Sequence, residues 1–464
     1  MKGRTQEMKS GSQDLTQGPI FKGIVAFALP LLISNLLQQL YNSVDSAVVG
    51  TYSGGIALAA VGSTGSIINM FIGFFLGIAT GTGVLYSMHF GAGDYPGLKK
   101  IADSAFIISA LASVLITAVG VPLAPQIMSL MKTPDDVAAE AIPYLRIYLA
   151  GTIFNLIYNV GAGMIRAMGD SRRPLIYLFI SGAANLVLDL LCVAVLGMGA
   201  AGAAVATVAA QVISAVLVVL RMMRLPNAEC RFHPGRMKLD RVAAWDVIRI
   251  SVPCGLQGSM FSISNLLVQF KVNGFGSVAM AGVAAYNKID GFVYMPTQAL
   301  GLAVTTYVGQ NIGAGRYDRM KKGIRTCLLL AACMAICVSA CAIIFFDTII
   351  RIFTKDPSEI AYARQMMWFM APFAWIFAIS DNLGGTLRGA GAAMQVTIIS
   401  AMCICVFRVV WLVVTLHFFN DIRFVFICYP ISWFLNTGTI VVYYLKRSRM
   451  RKAMESAKKA ELTQ

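Results

Sequence analysis

The chain has 464 residues, of which 57% are hydrophobic and only 13% charged. A soluble chain of this length would fold as two or three domains with charged surfaces, so the composition excludes that class. The net charge of +16 would suit a nucleic-acid binder, but its distribution along the chain argues otherwise.

The first nineteen residues are polar with scattered charge and lack the pattern of a cleavable leader, so the first apolar span is expected to act as the insertion signal. About a dozen apolar runs follow, each long enough to cross a hydrocarbon layer of about 30 Å. They must be helical, because lipid offers no partners to backbone amides. Spans are predicted near 21–48, 57–87, 101–124, 138–163, 174–196, 201–222, 246–270, 279–308, 322–346, 360–386, 394–418 and 424–445. The expected fold is an all-α integral membrane protein with twelve transmembrane helices in two six-helix lobes. The organisation reads as a cytoplasmic N-terminal segment (1–19), an N-lobe (20–222), a cytoplasmic linker (223–245), a C-lobe (246–446) and a basic tail (447–464).

The two lobes come from an internal duplication. Pro30 is matched by Pro253, 223 residues on; Gly91-Ala92-Gly93 returns as Gly313-Ala314-Gly315, and Ile165-Arg166-Ala167-Met168-Gly169 as Leu387-Arg388-Gly389-Ala390-Gly391, each 222 residues on. A membrane protein built from two repeats places its working site where one can move against the other, which points to transport.

Of 38 Lys and Arg residues, 29 fall in alternate loops counted from the N-terminus, seven in the intervening loops, and Lys288 and Arg408 lie inside spans. This is the positive-inside asymmetry, and it puts both termini in the cytoplasm. The basic tail (Lys446, Arg447, Arg449, Arg451, Lys452) then reads as an anchor to anionic lipid, and no nucleic-acid partner is expected.

Nine of the ten cysteines lie in apolar spans, where a free thiol behaves as a small hydrophobe; Cys333, Cys337 and Cys341 repeat every four residues and read as packing. With only His89, His233 and His417 to join them, far apart, no metal centre is expected. Gly197-Met198-Gly199-Ala200-Ala201-Gly202 spells a dinucleotide fingerprint but has neither a preceding strand nor a following acid, so it reads as a small-residue turn. Gly91-Ala92-Gly93-Asp94 and Tyr317-Asp318 resemble the motifs of intramembrane aspartyl proteases, but here they fall in loops and in reversed order. Gly73, Gly77 and Gly81 are spaced for close helix contact. No catalytic constellation converges, so an enzyme is not expected.

Ionisable groups inside the membrane are functional candidates by default. Asp45 follows Tyr41 by four residues, and Asp189 follows Asn185 by four, which puts each pair on one helical face. Asp45 is 23 residues beyond Lys22 and Asp189 is 16 beyond Arg173. At about 1.5 Å per residue both acids lie in the outer half of the bilayer. Apart from Lys22, Arg146 and Arg221, which are counted with the loops, no Lys or Arg lies inside the N-terminal spans to neutralise them, so they are expected to hold a proton or another small cation. In the C-terminal half, Lys288, Asp290, Arg408 and Asp381 are candidates to line a C-lobe cavity, with an Asp290–Arg408 ion pair as the plainer reading. Lys288 and Asp290, two residues apart, point to different faces of a helix.

Taken together, Pro30, Tyr41-Asn42-Ser43-Val44-Asp45, the two Gly-Ala-Gly loops, Arg166-Ala167-Met168-Gly169-Asp170 and Asn185-x-x-x-Asp189 resemble the multidrug and toxic compound extrusion (MATE) transporters, over about residues 20 to 446. The chain looks like the DinF-like branch, whose coupling site is in the N-lobe. The resemblance implies export of lipophilic organic cations or other amphiphiles in exchange for protons or sodium, from the inner membrane of a prokaryote, by a monomer needing no cofactor beyond the coupling ion. Carried over residue by residue, Asp45 and Asp189 would bind that ion, Tyr41 and Asn185 would shape their network, Thr207 would be a further polar ligand, and Pro30 would be a hinge. From Val247 to Ile289 there is no Asp or Glu, so C-lobe sodium coupling of the NorM kind is not expected, although Asp381 keeps a C-lobe site open. A flippase for a lipid-linked saccharide and a membrane enzyme or scaffold are the alternatives.

Overall fold

The computed structural model describes residues 13–446. Of the predicted segments, residues 1–12 and the tail from Arg447 onward, with Arg449, Arg451 and Lys452, lie outside the described residues. Twelve helical passes follow in chain order: α1 (Ile20–Tyr52), α2 (Gly54–Ala92), α3 (Tyr95–Leu130), α4 (Asp135–Ala150 continued by Thr152–Ala167), α5 (Arg172–Val195), α6 (Gly199–Met223), α7 (Arg241–Asn273), α8 (Ser277–Gly313), α9 (Tyr317–Ile344), α10 (Pro357–Met370 continued by Ala374–Gly389), α11 (Ala393–Phe418) and α12 (Arg423–Lys446). No β-strand occurs among the described residues.

By length and composition eight of these helices qualify as membrane spans, and the two pieces of α4, bent by 46°, make a ninth. The remaining passes, α7, α8 and α10, carry more polar side chains, among them Gln257, Asp290 and Asp381. The surface is inverted relative to a soluble protein: Phe179, Leu115, Ile344 and Val413 are exposed while Asn185, Asp189 and Arg408 are buried. That is the arrangement expected when the solvent is lipid.

The duplication is visible in the backbone. Gly93 (φ 75°) and Gly315 (φ 68°) both take the left-handed conformation, as do Gly169 (φ 87°) and Gly391 (φ 80°). These are the repeat-equivalent glycines, and glycine adopts that conformation without a Cβ penalty. The break in α4 at Gly151 recurs in α10 at Ala371–Phe373.

By compactness the described residues form two units: 13–14 with 29–255, and 15–28 with 256–446. This differs from the lobes read from the sequence, because the boundaries fall inside α1 and α7, beside Pro30 and Pro253, rather than in the linker. A proline in a helix interior removes one backbone hydrogen bond. In α1 the Pro30 carbonyl accepts the Ser34 hydroxyl at 2.8 Å. Within the second unit, residues 15–18 are held by the α8–α9 corner. The Leu15 N–H donates to Gln310 Oε1 at 3.1 Å, Arg316 Nη1 donates to the Thr16 carbonyl at 2.7 Å, and Arg319 donates to the carbonyls of Gln17 and Gly18 at 2.6 and 2.7 Å.

Two motifs resolve as structure. A Cβ on Gly77 would lie 2.2 Å from the Cys254 carbonyl oxygen, and one on Gly81 would lie 2.4 Å from Ser251 Cα, so these glycines let α2 and α7 meet backbone to backbone. In the 197–202 segment, Gly197 and Gly199 have φ 64° and 61°, and the Ala200 N–H donates to Glu140 at 3.1 Å. The cysteine reading needs a correction: Cys192, Cys254, Cys327 and Cys428 are buried, but Cys333, Cys337 and Cys341 are exposed. Their four-residue spacing follows one helical ridge, and that ridge faces outward instead of into the lobe.

Candidate functional site

The N-terminal candidates converge. Asn185 and Asp189 are adjacent on one face of α5, and both are buried. With the Asn185 amide turned so that both its ends are satisfied, its nitrogen donates to Asp189 Oδ2 at 2.8 Å and reaches the Tyr41 hydroxyl at 3.3 Å, while its oxygen accepts from the Thr207 backbone N–H at 3.2 Å. Asn185 thus joins α1, α5 and α6. Thr207 enters through its main chain, where the sequence reading expected a side-chain ligand. The carboxyl groups of Asp45 and Asp189 lie within hydrogen-bonding reach of one another. Two carboxyls can share such a contact only if one is protonated or a cation lies between them. Oδ1 of each acid is buried without a hydrogen-bond partner, so each keeps an unused acceptor. Among the described residues neither acid takes part in a salt bridge.

Sequence reasoning missed three members of this group. Tyr144 and Tyr148 on α4 are buried; Tyr144 lies in the electrostatic field of both acids, Tyr148 beside Tyr41 and Tyr144. Gln211 on α6 lies close to the Tyr148 hydroxyl. A signal was present: Tyr41/Asp45, Tyr144/Tyr148, Asn185/Asp189 and Thr207/Gln211 are all polar pairs four residues apart. Beside the network, a cavity of about 270 Å³ lined by Leu37, Tyr41, Phe179, Gly182 and Asn185 separates α1 from α5. Gly182 leaves room for Tyr41, since a Cβ there would lie 3.2 Å from its ring.

In the second unit a cavity of about 440 Å³ is lined by Asp290, Asp381 and Arg408 together with Phe261, Tyr294 and Trp433. Lys288 is exposed and does not line it, so it leaves the group predicted from sequence. The two-residue spacing from Asp290 turns it about 200° round the helix, at 3.6 residues per turn. The expected Asp290–Arg408 ion pair is also absent among the described residues. Asp290 instead accepts from the Tyr286 hydroxyl at 3.3 Å, with Tyr294 close by. Asp381 pairs with Arg388 at 3.4 Å, and Arg388 also donates to Gln257 Oε1 at 3.2 Å. Phe261 and Tyr294 line this cavity, while Phe75 is packed in the core of the first unit.

The MatE family model matches residues 30–191 and again residues 253–414. The chain belongs to the MatE family. The two matches start 223 residues apart, at the two repeat prolines. Among relatives, the "probable multidrug resistance protein YpnP" of Bacillus subtilis is 27% identical over 85% of this chain and 88% of its own length. The "probable multidrug resistance protein YoeA" of the same organism is 27% identical over 93% of this chain and 95% of its own. A MOP superfamily transporter from Pyrococcus furiosus has the same fold, with a TM-score of 0.87 over 99% of both chains at 21% identity. A family of transporters is a family of multi-pass membrane proteins acting on small molecules, and this chain is one of them.

Proposed function

We propose that this MatE protein is a secondary antiporter that expels lipophilic organic cations from the cell in exchange for protons or sodium by alternating access. The carrying observation is the contact between the half-buried Asp45 and the buried Asp189 within one unit, with no basic residue paired to either among the described residues. Membership in the family, and relatives named as multidrug resistance proteins, support the export reading.

The chemistry follows from the pair. With both carboxyls ionised, their repulsion in a low-dielectric setting is large, and a positively charged drug is attracted. When a proton or sodium ion binds, the repulsion disappears and with it the attraction for the drug. Because the ion prefers one conformation and the drug the other, each drives the other's release. Tyr41 and Asn185 connect the pair to α1, whose hydrogen-bond ladder is already interrupted at Pro30, so a change of charge is felt as a change in the bend of that helix. In this reading the protein is a monomer in the prokaryotic inner membrane with both termini cytoplasmic, and its lipid contacts are the exposed apolar side chains.

The test is ethidium efflux from reconstituted vesicles under imposed proton and sodium gradients, applied separately. Efflux by the parent, driven by one gradient and lost in Asp45→Asn, is the expected result. Efflux that ignores both gradients, or that survives Asp45→Asn unchanged, would remove the coupling role.

A further inference from the structure

Arg408 is 3% exposed. Its Nε–H donates to Ser432 Oγ at 3.0 Å, an Nη1 hydrogen goes to Asn265 Oδ1 at 3.2 Å, and its Cζ lies 4.3 Å from the centre of the Tyr429 ring. All three partners are neutral, and the two hydrogen bonds use two of the five donors that a guanidinium offers. Nearby Arg388 is answered by a carboxylate. A guanidinium stays charged at any physiological pH, and a buried charge is normally paired. Asp290, 8% exposed on the same cavity, accepts a hydrogen bond from the Tyr286 hydroxyl, with Tyr294 close by, and has no basic partner among the described residues. One cavity therefore holds a cation and an anion that do not neutralise each other.

Keeping opposite charges apart in a space of about 440 Å³ wastes their attraction unless something else uses both. That volume suits a small organic ligand. Its aromatic wall is already ordered: Tyr294 meets Phe377 edge to face at 4.9 Å, and Phe377 lies 5.7 Å from Trp433. We propose that this cavity binds a zwitterionic aromatic amphiphile, its carboxylate on the guanidinium of Arg408 and its ammonium group at Asp290. A guanidinium fork is suited to a carboxylate. A simple organic cation would leave Arg408 unanswered, so the ligand class goes beyond the drugs of the antiport reading, and the site does not depend on Asp45 or Asp189.

Three fluorescent probes sharing one aromatic body separate the charges: Nε-dansyl-lysine carries both, dansylcadaverine lacks the carboxylate, and 6-(dansylamino)hexanoic acid lacks the amine. Binding to the purified full-length protein is followed by the rise in dansyl emission. Dansyl-lysine is expected to bind at least about tenfold more tightly than either partial probe. Arg408→Gln is expected to abolish its advantage over dansylcadaverine while leaving dansylcadaverine within about twofold. Asp290→Asn is expected to abolish its advantage over the hexanoic acid probe. Equal binding of the three probes by the parent, or no binding of dansyl-lysine, would overturn the proposal without recourse to any variant; so would an advantage that persists in Arg408→Gln. Arg408→Lys, which keeps the charge but loses the fork, serves if the glutamine variant does not fold, and it should lose several-fold of the advantage. Loss of ethidium efflux in Asp45→Asn leaves these outcomes unchanged, so the two readings fail separately.

Discussion

The two halves of the molecule share backbone landmarks and differ in their buried charges. In the first unit Asp45 and Asp189 meet each other, surrounded by Tyr41, Tyr144, Asn185 and Gln211. In the second, Asp381 has Arg388, while Asp290 and Arg408 are each held by neutral groups. An acid pair without a counter-charge responds to every proton or cation that reaches it, whereas an acid salt-bridged to arginine is already neutralised. Duplication copied the scaffold, and divergence gave the copies different charge arithmetic.

The largest test of that contrast is transport. Asp45→Asn and Asp189→Asn are each expected to lower gradient-driven ethidium efflux on the order of a hundredfold, with the double variant no worse than either single one, because the carboxyls act as a unit. Asp290→Asn should lower it only a few-fold; a loss as deep as that of Asp45→Asn would erase the distinction between the halves. Next come the close helix contacts. Gly77→Ala places a methyl group 2.2 Å from a backbone oxygen that cannot move aside, and Gly301→Ala places one 2.5 Å from the side-chain oxygen of Asp381, which can. Thermal unfolding in detergent should show Gly77→Ala destabilised by about 2–3 kcal/mol and Gly301→Ala by about 1. Equal losses would mean that the second unit is as rigid around its ion pair as the first is around its backbone contact.

The smallest effect concerns equivalent loops. Asp94 caps α3, accepting the Gly97 N–H at 3.0 Å and contacting His89 Nδ1 at 2.7 Å; its repeat partner is Arg316. The Gly97 amide first, and then His89, hold the Asp94 carboxyl below its ordinary range. A depressed acid contributes stability above its unfolded pKa of about 3.9 and loses it as pH falls through the folded value. Asp94→Asn keeps a capping oxygen but loses the charge at the helix N-terminus, and should therefore cost about 0.3–1 kcal/mol at pH 7. The difference in melting temperature from the parent should close as pH is lowered below about 3. A gap that stays constant with pH would assign the cap to geometry alone.

Much of this was legible in the residues. Apolar run length found the twelve passes, though α1 and α8 extend several residues beyond their predicted ends because helix outlasts hydrophobicity. The left-handed glycines were readable from their repetition. The acid pair was readable because charge in lipid is rare, and Tyr144, Tyr148 and Gln211 escaped because neutral polar side chains are common in such spans. Lys288 was misplaced because presence in a span says nothing about which way a side chain faces, although its phase relative to Asp290 did. The separation of Asp290 from Arg408 depends on angles between helices, which no spacing in one helix encodes.

The short stretch Leu15–Gly18 has a consequence for how the protein is made. Its anchors, Gln310, Arg316 and Arg319, lie about 300 residues downstream. At roughly 5–20 residues per second, a ribosome needs about 15–60 seconds to reach them after the first helix has emerged. The Leu15–Gly18 stretch must therefore wait for these partners until the ninth helix is being synthesised, although Gln13 just before it can already bond to Gly169. That stretch is then among the last parts to reach its native contacts, and a nascent chain halted after the sixth helix leaves it without the groups that hold it.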